Sequence, residues 1–176
     1  MKELGKETEE LETQKQIYLL VSKHPGLNLS AIAEMLRISL PLALYHLRYL
    51  EKHSLVSFAK EDGFQRYYLK GEVGVQDKLF LSLFRQEVLL KIVLVLLKTP
   101  YTRHKDLLEY FEMSPPLLSY HLKKLVKKGI IAVQGSGQER GYFVVNEGEV
   151  ITFLIKYEPY KILGGISETW TNFTIR

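Results

Sequence analysis

Apolar residues recur with helical spacing in two stretches of the chain that lie 75 positions apart. In the first stretch this spacing predicts a helix over residues 14–22 that ends before Pro25, because the residue before a proline disfavours helical backbone. A short second helix is predicted after Asn28, which is a good N-cap, and a third helix after Ser39. Two β-type runs follow, LVSFA and RYYLK, joined by a loop that contains Gly63. The predicted order is helix, helix, tight turn, helix, hairpin.

The second stretch repeats this order position by position. Shifting the sequence by 75 aligns residues 12–70 with 87–145 without a gap and gives 15 identities in 59 positions. The equivalent features are a helix over 89–97 that ends before Pro100, a third helix after Ser114, and the β-type runs IIAVQ and GYFVV. A period of this length indicates a duplicated domain rather than a solenoid of short repeats.

The third predicted helix of each unit carries a resemblance to a known family. The segments ISLPLALYHLRYLEKHSLV and MSPPLLSYHLKKLVKKGII share a serine, a Tyr-His-Leu triplet and spaced leucines. They resemble the corresponding helix of ArsR-type winged-helix transcription regulators. Two such units in one cysteine-free chain are similar to archaeal tandem winged-helix regulators. The resemblance implies a mainly α fold with small β-hairpins (α+β), built as two tandem winged helix-turn-helix domains.

The repeat and its flanking apolar stretches predict the domain organisation. We expect a first winged helix-turn-helix domain with an N-terminal helical extension over residues 1–75. A second domain over 76–148 is expected to be entered by a long linker helix that runs straight into it. Residues 149–176 are predicted to form a C-terminal helix and a tail, which would dock on the body or on a partner chain through Trp170 and Phe173.

Composition and motifs argue against several kinds of site. The chain has no cysteine, which excludes disulfides, thiolate metal sites and cysteine nucleophiles. It has no Walker-type glycine loop, no GxSxG and no metalloprotease helix motif, so we predict no enzyme, no catalytic or metal-binding residue and no cofactor. His46 and His121 each stand beside a core leucine, and we interpret them as partly buried histidines hydrogen-bonded to backbone.

The ends and the most apolar run of the sequence predict where the protein works. The N-terminus is charged and lacks the apolar core of a signal peptide. The most apolar run, VLLKIVLVLL, is interrupted by a lysine and is too short to span a bilayer. A cytoplasmic protein without a membrane partner is therefore expected.

The basic charge is concentrated in the two repeated units. The net charge is +4, and residues 12–70 hold eight Lys/Arg against five Asp/Glu, while residues 87–145 hold nine against five. A protein that neutralises DNA phosphates requires such an excess. Lysines also solubilise protein surfaces, and a charge of this size is compatible with that reading alone.

Family position and the basic residues of the third helices and hairpins together predict which side chains would face DNA. Glu61, Asp62 and Glu139 lie beside the hairpin cations and weaken that part of the prediction. The predicted set in the first unit is Ser39, Leu42, Tyr45, Arg48, Lys52, Lys60 and Arg66. The predicted set in the second unit is Ser119, Tyr120, Lys123, Lys124, Lys127 and Arg140. Family position also places four apolar residues on this side: Leu40, Leu44, Pro115 and Leu117.

Both third helices depart from the family in being poor in Arg, Asn and Gln, which make bidentate base contacts. Tyr45 and Tyr120 are expected to contact a phosphate or a base edge. The alternative is that both tyrosines pack between the third helix and the β-hairpin that follows it, which is called the wing. Leucines in these helices can touch thymine methyl groups but are expected to specify little of the sequence.

The favoured function is a DNA-binding transcriptional regulator that reads duplex DNA with two covalently linked winged-helix units. A tandem winged-helix module that binds proteins, as in transcription or chromosome-associated factors, stays open because the third helices are rich in leucine. An RNA-binding module is not separated by sequence. Double-stranded DNA is the expected partner, with a further protein partner or a homodimer formed through the linker and C-terminal helices. The lysines of the second unit predict that it carries more of the DNA affinity.

Overall fold

The computed structural model describes residues 2–61 and 63–158. The chain divides into two compact units, Met1–Ser82 and Leu83–Arg176. The expected boundary between residues 75 and 76 lies seven residues before this division. Each unit is described separately below.

The first unit contains three helices followed by a hairpin and a linker helix. In chain order its elements are α1 (Lys2–Lys23), β1 (Leu27–Asn28), α2 (Leu29–Leu36), α3 (Leu40–Lys52), β2 (Val56–Glu61), β3 (Phe64–Leu69) and α4 (Val75–Phe84), whose last two residues belong to the second unit. Asn28 caps α2 as predicted, since its side-chain Oδ1 accepts a hydrogen bond from the Ala31 amide at 2.9 Å.

The second unit repeats these elements in the same register. Its elements are α5 (Glu87–Lys98), β4 (Thr102–Arg103), α6 (His104–Phe111), α7 (Pro115–Lys127), β5 (Ile131–Gln134), β6 (Gly141–Val144) and α8 (Glu147–Tyr157). Helices α6 and α7 begin and end 75 positions after α2 and α3, and α5 ends 75 positions after α1. The predicted duplication of helix, helix, turn, helix and hairpin is therefore confirmed.

Each hairpin gains a third strand that the sequence did not predict. The strand order is β1-β3-β2 in the first unit and β4-β6-β5 in the second, and all pairings are antiparallel. Leu27 lies opposite Tyr67, and Thr102 lies opposite Tyr142. These two-residue strands tie the start of α2 and of α6 to the wing of the same unit.

The apolar positions that predicted the helices form the cores. In the first unit the buried cluster consists of Ile17, Val21, Ile32, Leu47, Leu50, Val56, Tyr67 and Leu69. In the second unit seven of the eight equivalent positions are also buried: Ile92, Leu96, Leu107, Leu122, Leu125, Ile131 and Val144. The eighth, Tyr142, is half-buried. Because α3 and α7 bury one face in these cores, their opposite faces point to solvent.

The linker is not the single long helix that we expected. Helix α4 ends at Phe84 and α5 begins at Glu87, with Gln86 between them in extended backbone at φ −83° and ψ 106°. Glu87 starts the new helix with a carboxylate in its first turn, where the helix dipole favours a negative charge. It also forms an ion pair with Lys91, at 2.6 Å between Oε1 and Nζ. Apolar periodicity continues across this break and hides it in the sequence.

The C-terminal part of the second unit begins with α8. Its side chains Val150, Phe153 and Leu154 are buried, and the Phe153 ring lies 5.6 Å from the Phe84 ring. The tail beyond residue 158, with the predicted docking residues Trp170 and Phe173, lies outside the described residues. Among the helices of residues 2–61 and 63–158, none is long and apolar enough to cross a membrane.

Candidate nucleic-acid interface

The turn before each third helix has the same backbone geometry in both units. Arg37 and Glu112 adopt left-handed backbone, at φ 54°, ψ 39° and φ 49°, ψ 38°. Ser39 and Ser114 follow in extended backbone and occupy the N-cap positions of α3 and α7, as predicted. Matching dihedral angles on either side of the turn give α3 and α7 the same direction relative to the helix before them.

The two N-caps differ in their hydrogen bonds. The Ser39 hydroxyl accepts a hydrogen bond from the Leu42 amide at 3.3 Å. Ser114 makes no side-chain bond to the first turn of α7. Prolines stand in the first turn of both helices, where a missing amide hydrogen costs little. Ser39 is therefore occupied in capping a helix within its own unit.

The solvent-facing side of each third helix begins with an apolar and a tyrosine side chain. The exposed fractions are 41% for Leu42 and 54% for Tyr45 in α3, and 47% for Leu117 and 60% for Tyr120 in α7. Their side chains are thus available to a ligand. The alternative that both tyrosines pack between the third helix and the wing does not describe the structure.

Cations follow the tyrosines along the same helices. Arg48 and Lys52 are exposed on α3, and Lys123 and Lys127 are exposed at the equivalent positions of α7. Lys124 is half-buried. Within the described parts of the chain, none of these five cations lies within 4.0 Å of a carboxylate. Their charges are therefore not neutralised by an ion pair with a described carboxylate.

The two helices differ in local charge. Glu51 lies next to Lys52 in α3, and the residue at the equivalent position of α7 is Val126. The first helix therefore carries two cations and one anion. The segment from Lys123 to Lys128 carries four cations and no anion. The positive potential at the surface is stronger at α7.

Ser119 is half-buried, and its hydroxyl contacts another side chain of the same unit. Its Oγ lies 3.0 Å from Nε2 of His104, at the start of α6. The equivalent positions in the first unit are Leu29 and Leu44, an apolar pair. This contact links the two helices of the turn in the second unit. The aligned sequence could have predicted this contact, because His104 and Ser119 replace two leucines of the first unit.

His46 is fully buried at 1% exposure, and His121 is half-buried. The Nδ1 atoms of both rings lack a hydrogen-bond partner among the described residues, so the expected bond from this atom to backbone is absent. Burial lowers the pKa of His46 below its usual value, and Glu10 opposes this shift. Burial likewise lowers the pKa of His121, and Lys124 adds to that effect. Both rings are neutral core groups at pH 7.

The described residues do not bring histidines and carboxylates together as a metal site. No group of three or more His, Asp or Glu side chains with suitable geometry occurs among residues 2–61 and 63–158. The rings of His46 and His121 instead meet the edges of Tyr45 and Tyr120, at centroid distances of 5.0 and 5.3 Å. These contacts orient the exposed tyrosines.

The wing residues predicted to reach DNA lie in different environments. Lys60 is exposed on β2, and Arg140 is exposed after a 3-10 turn at Gly137–Glu139. Arg66 is half-buried on β3, with its guanidinium 5.4 Å from the centre of the Phe64 ring. Lys60 and Arg140 are thus the exposed wing cations, and Arg66 packs on the sheet.

The sheets of the two units differ at two positions, and the glycine is at one of them in the first unit and at the other in the second. In the first unit Gly26 adopts φ +82°, and Arg66 occupies the strand beside it. In the second unit Tyr101 adopts φ +64°, and the residue at the position of Arg66 is Gly141. A Cβ atom on Gly141 would contact the Tyr101 carbonyl oxygen and lie 2.8 Å from the carbonyl carbon. Glycine at 141 therefore allows the close approach of the chain at Tyr101.

Comparison with known proteins agrees with this geometry. A family model described as winged helix-turn-helix DNA-binding matches residues 10–56, and one described as bacterial regulatory protein, arsR family, matches residues 88–133. The chain is a tandem winged helix-turn-helix protein whose second unit matches the arsR family. Each match includes the third helix of its unit, so α3 and α7 are the recognition helices of the two winged-helix domains.

A relative with the same kind of domain is an uncharacterized HTH-type transcriptional regulator, MJ1398, from Methanocaldococcus jannaschii. It is 27% identical over 133 residues, which cover 76% of this chain and 33% of the relative. The winged-helix chain thus spans about a third of that protein's length.

Two solved structures overlap with the chain at low similarity. The DIP2311 protein from Corynebacterium diphtheriae is 16% identical, with a TM-score of 0.31, and covers 76% of this chain and 26% of its own. A conserved hypothetical protein from Chlorobium tepidum is 14% identical, with a TM-score of 0.32, and covers 86% of this chain and 99% of its own. TM-scores this low do not show that either structure shares its overall fold with the winged-helix chain.

Proposed function

We propose that this chain is a DNA-binding transcriptional regulator whose two winged-helix units each place their third helix, α3 or α7, in the major groove of duplex DNA. The proposed role is binding without catalysis, in the cytoplasm. The family matches of both units and the name of the relative support a regulator of this class.

One observation carries the proposal: unpaired cations line the exposed faces of both recognition helices. In α3 the residues Leu42, Tyr45 and Lys52 follow one another at spacings of three and seven, which places them on one side of the helix. The same spacing recurs in α7 with Leu117, Tyr120 and Lys127. Phosphates flank the major groove on both sides, so cations toward the helix C-terminus would meet the backbone while the N-terminal turns meet base edges.

The salt dependence of binding to a mixed-sequence duplex of about 30 base pairs tests the proposal. The cations at the recognition helices are Arg48, Lys52, Lys123, Lys124, Lys127 and Lys128. Six phosphate contacts give a slope of roughly −5 in log K against log salt, or about a thousandfold loss of affinity between 50 and 200 mM. Fluorescence anisotropy with a labelled duplex measures this slope.

Two double variants that each remove two lysine charges test whether the phosphates contact the recognition helices. Lys52→Gln with Lys127→Gln removes cations from equivalent positions of the two recognition helices, and we expect the slope to flatten by about two. The control, Lys15→Gln with Lys91→Gln, removes the same charge from lysines that lie near Glu12 and Glu87 on other helices. It should leave the slope unchanged. Absence of duplex binding at 50 mM salt would instead favour the protein-binding module.

A further inference from the structure

The first two turns of both recognition helices lack the side chains that usually read bases. Residues 40–47 and 115–122 contain no Lys, Arg, Asn, Gln, Asp or Glu. The histidines within these turns lie inside the domains, and the Ser119 hydroxyl contacts His104. Apolar side chains and tyrosines therefore form the surface that a winged helix presents to base edges.

This surface has been kept in both copies of the duplication. Only 15 of the 59 aligned positions are identical, and the other 44 differ. The identical pairs include Leu42 with Leu117 and Tyr45 with Tyr120, all of them exposed. Core packing does not require a leucine at an exposed position. The recurrence of these exposed leucines and tyrosines in both units indicates that they contact an apolar group outside the domain.

The major groove offers one methyl group among the four standard bases, the C5-methyl of thymine. The C5–H of cytosine is also apolar but lacks the methyl carbon, and most other base-edge groups are hydrogen-bond donors or acceptors. A leucine placed against a donor or acceptor would remove water without replacing the hydrogen bond. We infer that Leu42 and Leu117 recognise 5-methyl groups of pyrimidines in the major groove. The inference rests on the proposed function and adds the chemical class of the DNA sites, which would be rich in thymine beneath both recognition helices.

The charges beside the leucines favour DNA over an apolar protein groove as the occupant. Lys52 and Lys127 lie on the same side of their helices as the leucines, and both are exposed without a carboxylate partner among the described residues. An apolar groove of a protein would have to desolvate these cations or supply acids for them. In a major groove lined by methyl groups, the flanking phosphates would pair with the lysines while the methyl groups contact the leucines.

Duplexes that differ only in 5-methyl groups test the inference. The probes are 24-base-pair alternating duplexes of dA-dT, dA-dU, dG-dC and dG with 5-methyl-dC, compared by competition at one salt concentration. All four have the same phosphates, so the comparison isolates the methyl group. Burial of one carbon group predicts about fourfold tighter binding per leucine, and about fifteenfold when both helices engage. The methylated member of each pair should be the tighter ligand.

Leucine variants connect the preference to these two residues. Leu42→Ala with Leu117→Ala should bind dA-dT and dA-dU equally, because a shortened side chain no longer reaches the methyl group. Leu19→Ala, which truncates an exposed leucine on α1, should keep the preference. Both variants should melt within a few degrees of the wild type, since the replaced side chains are exposed.

The possible results separate the two proposals. Equal binding of the methylated and unmethylated probes by the wild type would overturn the inference while leaving DNA binding intact. A preference that survives in the double leucine variant would overturn the assignment to Leu42 and Leu117. If none of the four duplexes binds at 50 mM salt, the proposed function fails and the inference fails with it.

Discussion

Removing two lysines from the second recognition helix should weaken DNA binding more than removing two cations from the first. The perturbations are Lys123→Gln with Lys124→Gln and, for comparison, Arg48→Gln with Lys52→Gln. Glutamine removes the charge and keeps most of the side-chain length, so the apolar stem of the half-buried Lys124 stays in place. Each variant lowers the net charge by the same amount.

The expected magnitudes follow from the charges around each pair. The segment from Lys123 to Lys128 contains no acidic residue, so both lysines are counted as phosphate contacts. Two contacts correspond to a slope change of about 1.8 and, for equal affinities at 1 M salt, to roughly 60-fold weaker binding at 100 mM. In α3, Glu51 offsets about one of the two cations. The Arg48 and Lys52 variant should therefore lose roughly eightfold.

Anisotropy titrations of a mixed-sequence duplex at several salt concentrations measure both losses. Thermal melts of each variant check that the domains stay folded. A larger loss for the Arg48 and Lys52 variant, with the Lys123 and Lys124 variant unchanged, would show that the first unit provides the main contact with the phosphates. The reasoning from local charge would then be wrong.

Three further predictions concern stability. Gly141→Ala should destabilise the second unit by about 1–3 kcal/mol, because its Cβ would clash with the backbone of Tyr101. Gly148→Ala has open space around its Cβ and should be neutral or slightly stabilising. Thermal melts compare the two variants. Ser39→Ala should cost about 1 kcal/mol in urea denaturation through its lost cap, and Ser114→Ala should cost less because its hydroxyl makes no cap bond. Burial lowers the pKa of His46 in the folded state, so its contribution to stability is full above the unfolded pKa of about 6.5 and is lost as the pH falls below it. The stability of His46→Leu should fall less steeply over this range.

Each of these stability predictions has a contrary result. Equal melting temperatures for the two glycine variants would mean that the strands separate without cost. Equal losses for the two serine variants would mean that the hydroxyl bond does not stabilise α3. A His46→Leu variant with an unchanged pH dependence would assign that dependence to other groups.

The sequence predicted the helices well because their signals are local and occur twice. The proline before each second helix, the serine before each third helix and the leucine spacing all depend on residues within one or two turns. The ungapped register transferred each of these signals from one unit to the other. The N-cap of α2 at Asn28 and the acidic first turn of α6 at Asp106 do not recur in the other unit and were predicted from local sequence alone.

The features that escaped prediction depend on tertiary contacts. The strands Leu27–Asn28 and Thr102–Arg103 are two residues long and exist because β3 and β6 supply their partners. The break between α4 and α5 lies inside continuous apolar periodicity and contains neither glycine nor proline. Single-sequence patterns cannot locate elements whose stability comes from a neighbouring strand, or helix ends that carry no local stop signal.

The candidate site was predicted in part. The structure shows that the tyrosines and most of the cations predicted in α3 and α7 are exposed, while their contact with DNA stays a prediction. Ser119 and Arg66 lie partly inside their domains, because a histidine side chain and an aromatic ring are close enough to interact with them. Side-chain partners of this kind become visible only when distant positions are compared, as in the joint exchange of His104 and Ser119 for two leucines.

The most direct test of DNA binding through both recognition helices is fluorine NMR of the chain labelled with 3-fluorotyrosine. Tyrosine-to-phenylalanine variants assign the resonances of Tyr45, Tyr120 and the buried Tyr68. Addition of a mixed-sequence duplex at 50 mM salt should shift the signals of Tyr45 and Tyr120 and leave that of Tyr68 in place. Duplex binding without any shift at Tyr45 and Tyr120 would contradict the account, because DNA would then contact a surface other than α3 and α7.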